Sequence, residues 1–166
     1  MSIFQVIASK RYSTINSLQE ILTYATRVTG TRSALIYGAY VSSFNPFAQM
    51  EYVKGVFAQE EGKTFYHYVF SPDTDVDLRT AYAMGIDMAN AIANFGGRFQ
   101  VIMAVHLDKE IPHCHFVANN IDFETGARFN LNKKNLYDLK TLLSGIAESY
   151  GVSAIRRFSF PENDGK

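Results

Sequence analysis

The chain has one cysteine, Cys114, so an internal disulfide is excluded and a thiolate-built structural zinc site has too few ligands. It also has no net charge. Its 16 basic and 16 acidic residues sum to +0, whereas a domain that binds nucleic acid is usually clearly basic. Any such role must rest on local clusters, and Lys10-Arg11, Arg27, Arg32, Lys133-Lys134, Lys140 and Arg156-Arg157 are the ones on offer. An ordinary solvated surface explains the same residues. No apolar run approaches the ~20 residues that span a bilayer. The amino terminus has no basic region before its short apolar run, so it does not read as a secretory signal. There is no glycine-rich phosphate loop, no Ser/His/Asp signature, no internal repeat and no linker. These absences leave one reducing-compartment, cytoplasmic domain as the expectation, with no membrane contact.

The composition supports a core. Hydrophobic residues make up 47% of 166 and aromatics 14%, enough to fold without covalent help. Alternating residues predict strands over Ile3–Ala8, Ala34–Val41 and Thr64–Phe70. Helical spacing of Leu18, Ile21, Leu22, Ala25 and Val28 predicts a first helix over Ser17–Val28, capped by Asn16 or Ser17 and ended by Gly30. Asn45-Pro46 starts a second helix carrying Phe47, Met50, Val53, Lys54 and Phe57. Ser71 to Asp75 caps a third, which Phe95-Gly96-Gly97 ends. Asn132 caps a fourth, with Leu136, Leu139, Leu143, Ile146, Ala147 and Tyr150 as its stripe and Gly151 as its stop. Arg128–Leu131 pairs back briefly, and Ser153–Phe158 is a final edge strand. The expected order is β-α-β-α-β-α-β-β-α. The expected class is α+β, a central, mostly antiparallel sheet with helices packed on its faces. Residues 1–160 form the domain and 161–166 a disordered tail.

The chemistry gathers in His106 to Asn120. Three of the four histidines fall within this stretch. In a strand, alternate side chains share a face, so His113, His115 and Asn119 point one way while Cys114, Phe116 and Ala118 point to a core. His106 ends the preceding apolar run, and a turn through Asp108 to Pro112 folds the two runs into a hairpin. Three imidazoles on one sheet face, with the coordination sphere still open, is the pattern of a catalytic metal site. Asp108 shares the parity of His106 and would orient an imidazole through its second nitrogen; the alternative is a turn aspartate. Asn119 would orient a ligand, bind a phosphate oxygen or satisfy backbone. His67, on another strand between two tyrosines, reads either as a site wall and acid–base helper or as a half-buried strand residue. If the nucleophile is not water, a tyrosine can attack phosphorus and stay bound to it. Tyr24, at the edge of the first helix's stripe and near Arg27, is the choice on position. Tyr12, Tyr37 and Tyr40 stay open.

The stretch from Gly97 through His106-x-Asp108, His113-x-His115 and Asn119 resembles the third motif of MobP-type (MobA/MobL-like) mobilisation relaxases, a branch of the HUH nucleases. Ser17 to Tyr24 looks like their first motif, whose tyrosine is the nucleophile. The likeness runs from about Leu18 to Ile155. It implies an HUH relaxase-like fold and strand-specific nicking of single-stranded DNA at a transfer origin. On that resemblance Tyr24 attacks the scissile phosphate and keeps the 5′ end, with Asp108 beside it. His106, His113 and His115 hold one divalent ion, Mg²⁺ or Mn²⁺, with Zn²⁺, Ni²⁺ and Co²⁺ also compatible. Asn119, Arg27, Lys133 and Lys134 serve DNA, phosphate or the ligands' outer contacts, with His67 as helper. Relaxosome accessory proteins are expected partners. Relatives continue well beyond such a domain, so a nuclease domain or a minimal protein is implied. Two rival readings differ in kind: an inactive relaxase-like domain that binds DNA or a partner, and a three-histidine metal phosphodiesterase that uses water.

Overall fold

The computed structural model describes residues 1–7 and 15–156. Its strands are β1 (Ile3–Ile7), β2 (Ile36–Ala39), β3 (Phe65–Ser71), β4 (Val101–His106) and β5 (His113–Asn119). Its helices are α1 (Ile15–Ala25), α2 (Pro46–Val56), α3 (Leu78–Ala93) and α4 (Lys133–Ser149). The strands form one sheet in the order β1-β3-β5-β4-β2. Each neighbouring pair is antiparallel, so the expected α+β class is the one observed. Among the described residues, no helix is long and apolar enough to cross a membrane.

Strand alternation divides the core into two layers. On one face, Tyr68, Phe70, Met103, Val105, Cys114 and Phe116 pack with α3 and α4 through Met84, Met88, Leu139 and Leu143. On the other, Phe65, Ile102 and Val117 pack with α1 and α2 through Leu18, Ile21, Leu22, Ala25 and Met50. Cys114 lies on the α3 side, as its parity requires, so its neighbours His113 and His115 face the α1 side. Helix α3 lies close against the sheet because Gly85 has no side chain. A Cβ there would meet Met103 Sδ at 2.9 Å and Cys114 Sγ at 3.2 Å.

Caps fix the helix starts. Asn45 accepts from the Ala48 amide with Pro46 in the first turn, and Asn132 accepts from the Asn135 amide at 2.8 Å. Three boundaries differ from the sequence reading. The third helix is capped by Asp77, which accepts from the Thr80 amide at 2.7 Å; Ser71 is instead drawn into β3 by pairing with Ile3. The first helix starts at Ile15 and ends at Ala25. Val28 is 81% exposed, because the chain turns back through Arg27 and Gly30 so that the Gly30 carbonyl accepts from the Leu107 amide at 2.7 Å. Residues Ser33–Leu35 form a 3-10 turn, so β2 is short.

At the carboxyl end, Ile155 makes one parallel bridge to Ser2, and Ile121 bridges Arg128. Those bridges stand where short pairing was expected. Ala8, Phe158 and the tail at 161–166 lie outside the described residues.

Candidate metal centre and nucleophile

The hairpin register builds the site. His106 pairs directly with His113, and His115 pairs with Ala104 two residues along, so all three imidazoles stand on the α1 face. Their ring centroids are 5.4 Å (His106–His113), 3.7 Å (His106–His115) and 5.1 Å (His113–His115) apart. All three are buried. One ligand nitrogen from each lies within 4.8 Å of the other two. Bonds of about 2.1 Å place two ligand atoms at most ~4.2 Å apart. The rings must draw together by about half an ångström or more to share one ion.

The hydrogen bonds indicate which nitrogens are available. His106 Nε2 lies 2.7 Å from the Ala25 carbonyl. A carbonyl only accepts, so Nε2 carries the proton and Nδ1 presents a lone pair. His106 Nδ1 and His113 Nδ1 are buried with no hydrogen-bond partner among the described residues. Orphaned buried acceptors are rare and costly unless something else satisfies them, and a cation would do so. His113 Nε2 stands 3.6 Å from Asp108 Oδ1, a carboxylate at its outer edge. His115 Nδ1 is 2.9 Å from His67 Nε2.

The electrostatics favour neutral rings. Burial, reinforced by the neighbouring histidines, holds His115 down to about 2. Burial holds His67 down to about 4. Burial also lowers His106, against the hydrogen bond to the Ala25 carbonyl, and His113, against the charge of Asp108. A neutral imidazole is the form that binds a metal, so the donor set fits a divalent ion.

Tyr24 reaches this cluster because the His106–Ala25 bond pins the last turn of α1 to β4. The Tyr24 ring centroid is 6.0 Å from His106 and 5.9 Å from His115. The Arg27 guanidinium carbon lies 3.9 Å from the centre of the Tyr24 ring. Arg27 also donates to the Tyr24 carbonyl at 2.7 Å and to Asp108 Oδ2 at 2.9 Å. It fits there because residue 30 is glycine: a Cβ at Gly30 would meet the guanidinium at 3.0 to 3.2 Å. Tyr24, Asp108, His67, His113 and His115 line one cavity of about 360 Å³.

Asn119 takes the last of its three alternatives, satisfying backbone and buried side chains. It shares the histidines' face but lies four residues beyond His115, ~13 Å along the strand, where α2 covers the sheet. It is buried there, accepting from Lys54 and donating to the Met50 carbonyl at 3.3 Å and Gln100 Oε1 at 3.2 Å. Lys133 and Lys134 are also away from the cavity. They are exposed at the start of α4, in the layer on the sheet's other face, and Lys134 pairs with Asp138 at 2.6 Å. The sequence reading passed over Lys109, Gln5 and Ser71, which also line the cavity. Lys109 lies inside the motif beside Asp108. Gln5 and Ser71 depend on the β1–β3 register, which has no local signature.

The family model "Relaxase: MobA/VirD2-like, nuclease domain" matches residues 24–152. A curated relative, Protein rlx of Staphylococcus aureus, is 36% identical over 84 residues, which is 51% of this chain and 24% of the relative. A second Protein rlx of the same organism is 34% identical over 74 residues, or 45% of this chain and 22% of the relative. The chain thus spans about a quarter of the length of these relatives. A solved structure described as "Molecular Basis of Vancomycin Resistance Transfer in Staphylococcus aureus" aligns with a TM-score of 0.64 at 12% identity, covering 96% of this chain and all of that one. At that identity the likeness is one of fold.

Proposed function

The chain belongs to the MobA/VirD2-like relaxase nuclease-domain family, and from that premise we propose that it nicks one strand of DNA at a transfer origin with Tyr24 as the nucleophile. The Tyr24 oxygen bonds to the scissile phosphorus, and the bond from phosphorus to the 3′ oxygen breaks. The 5′ phosphate stays on the tyrosine, and the 3′ end leaves as a hydroxyl, taking up one proton for the one the phenol gives up. One phosphodiester replaces another, so the step is reversible and rejoining uses the same groups.

His106, His113 and His115 would hold the divalent ion, each through a neutral imidazole. When bound, that ion supplies Lewis-acid polarisation of a phosphoryl oxygen. Mg²⁺ or Mn²⁺ is the reading, although three imidazoles also accept Zn²⁺, Ni²⁺ or Co²⁺. Asp108 has two tasks, facing His113 with one oxygen and holding Arg27 with the other. Arg27 keeps a positive charge over the Tyr24 ring, which favours the phenolate as it forms. Single-stranded origin DNA is the proposed substrate, with relaxosome accessory proteins as partners in a cytoplasmic setting.

The observation that carries this reading is the packing of Tyr24 about 6 Å from two of the three histidines, in the lining of one cavity. The test is incubation of wild type and Tyr24→Phe with single-stranded origin DNA and Mn²⁺. A covalent protein–DNA adduct that disappears in the variant is the expected result. Cleavage with no adduct would make the domain a water-using phosphodiesterase. Binding with no cleavage would make it an inactive relative.

A further inference from the structure

We propose that His67 is a positioning residue that turns His115 into a metal ligand by accepting a hydrogen bond from its Nδ1–H. This rests on the reading that the three motif histidines hold an ion.

Sheet register brings the two rings together. His67 pairs with Val117 and Val69 pairs with His115, so His67 and His115 are diagonal neighbours on one face, within reach of each other. Their rings lie 5.1 Å apart at 28°, with His67 Nε2 at 2.9 Å from His115 Nδ1. Both are buried, so water cannot readily replace either partner.

A neutral imidazole has one N–H and one lone pair. Only one of the two facing nitrogens can carry the proton, and the choice fixes both rings. If His67 Nε2 donates, His115 Nδ1 accepts, its proton sits on Nε2, and it has no lone pair for an ion. If His115 Nδ1 donates to His67 Nε2, His115 Nε2 is free to coordinate. Metal loading therefore selects the second arrangement.

The groups beside the other two ligands can only accept. The Ala25 carbonyl can only accept from His106. Asp108, beside His113, is acceptor-only when ionised. His115 alone is oriented by a group able to face either way. The direction of one hydrogen bond then sets how readily the third ligand is available. A group in this outer position commonly contributes 10- to 100-fold in metal affinity.

The test measures metal binding without DNA. Mn²⁺ affinity is titrated for wild type, His67→Leu and His67→Gln, and thermal unfolding is followed in chelator. Leucine fills similar space without an acceptor, and its affinity should fall about 10- to 100-fold. Glutamine offers a carbonyl and should recover most of that loss. A second readout is the ¹⁵N signature of the Zn²⁺-loaded wild type, which should show the His115 proton on Nδ1. If His67→Leu binds Mn²⁺ as tightly as wild type, or if His115 carries its proton on Nε2 in the loaded protein, the proposal fails while the metal centre stands. If wild type itself binds no Mn²⁺, the metal centre fails and this role goes with it. Should the leucine variant not fold, the ¹⁵N signature and the glutamine variant decide.

Discussion

Two buried polar clusters sit on the same face of β5, four residues apart, and they are built in opposite ways. Around Asn119 no buried side-chain nitrogen or oxygen among the described residues lacks a hydrogen-bond partner. Lys54, fully buried on α2, donates to the Thr64 carbonyl at 2.5 Å, to Asn120 Oδ1 at 3.0 Å and to Asn119 Oδ1. Asn119 spends its amide hydrogens on Met50 and Gln100, and Asn120 donates to the Lys63 carbonyl. Around His115 two buried ring nitrogens, His106 Nδ1 and His113 Nδ1, have no hydrogen-bond partner among the described residues. The first cluster is closed and lies under a helix. The second is open-ended and borders a cavity holding Tyr24. Buried polar groups are normally satisfied, so this contrast separates a cluster that holds the fold from one that awaits a ligand.

The largest expected effect comes from breaking the open cluster. His113→Leu removes one ligand and replaces an unsatisfied polar ring with an apolar side chain. Nicking should fall about a thousand-fold, roughly 4 kcal/mol of transition-state stabilisation. Stability of the metal-free protein should change by less than about 1 kcal/mol, because no well-made hydrogen bond is lost. Nicking assays and chelator-treated thermal melts check the two halves. A variant that loses several kcal/mol of stability without metal would erase the distinction.

Breaking the closed cluster should do the reverse. Lys54→Met leaves three buried oxygens without their donor, at about 1 kcal/mol or more each. The sum, about 3 kcal/mol, should lower the melting temperature by about 6–12 °C for a domain of this size. Mn²⁺ affinity of the folded fraction should be unchanged. A loss of metal affinity comparable to that of His113→Leu would mean the clusters are coupled.

The next effect sharpens the comparison with pH. Burial, and less so Arg128, holds Lys54 down to about 7, although its three oxygen partners favour the charged form. Unfolded, it titrates near 10.4. Between those values the unfolded chain binds more protons, so stability rises with pH across that window and its gain is lost as pH falls to about 7. From pH 7 to pH 10 the rise should be on the order of 3 kcal/mol, and Lys54→Met should flatten it. Urea denaturation at pH 7 and pH 10 measures the slope. Equal slopes in wild type and variant would show that Lys54 keeps its proton throughout.

The contrast also shows where sequence reading works and where it stops. Strand parity was enough to put His113 and His115 on one face and Cys114 behind them, because the period of a strand is local. The caps Asn45 and Asn132 were legible for the same reason. Parity also joined Asn119 to that face, but a face is longer than a site, and α2 covers the part where Asn119 lies. Lys54 was legible only as a member of the α2 stripe. Its three oxygens come from the end of β5, the residue after it and the chain before β3, and nothing local announces them. His67 became a neighbour of His115 only through the β3–β5 pairing, across 48 residues of sequence. Those placements depend on strand order, which no short window of residues encodes.

The smallest effect tests the open cluster from its outer edge. Gly30 brings no side chain to the site, yet the space it leaves admits the Arg27 guanidinium between Tyr24 and Asp108. In Gly30→Ala the new methyl would stand 3.0 Å from the guanidinium carbon. The end of a long side chain can move, so the fold should survive. Arg27 would shift, weakening its hold on Tyr24 and Asp108 together. Nicking should fall about ten-fold, roughly 1.4 kcal/mol, with Mn²⁺ affinity within about two-fold of wild type, because Asp108 only flanks His113 at 3.6 Å. Single-turnover nicking at saturating DNA separates this from weaker binding. An unchanged rate would show that Arg27 packs against Tyr24 without helping it react.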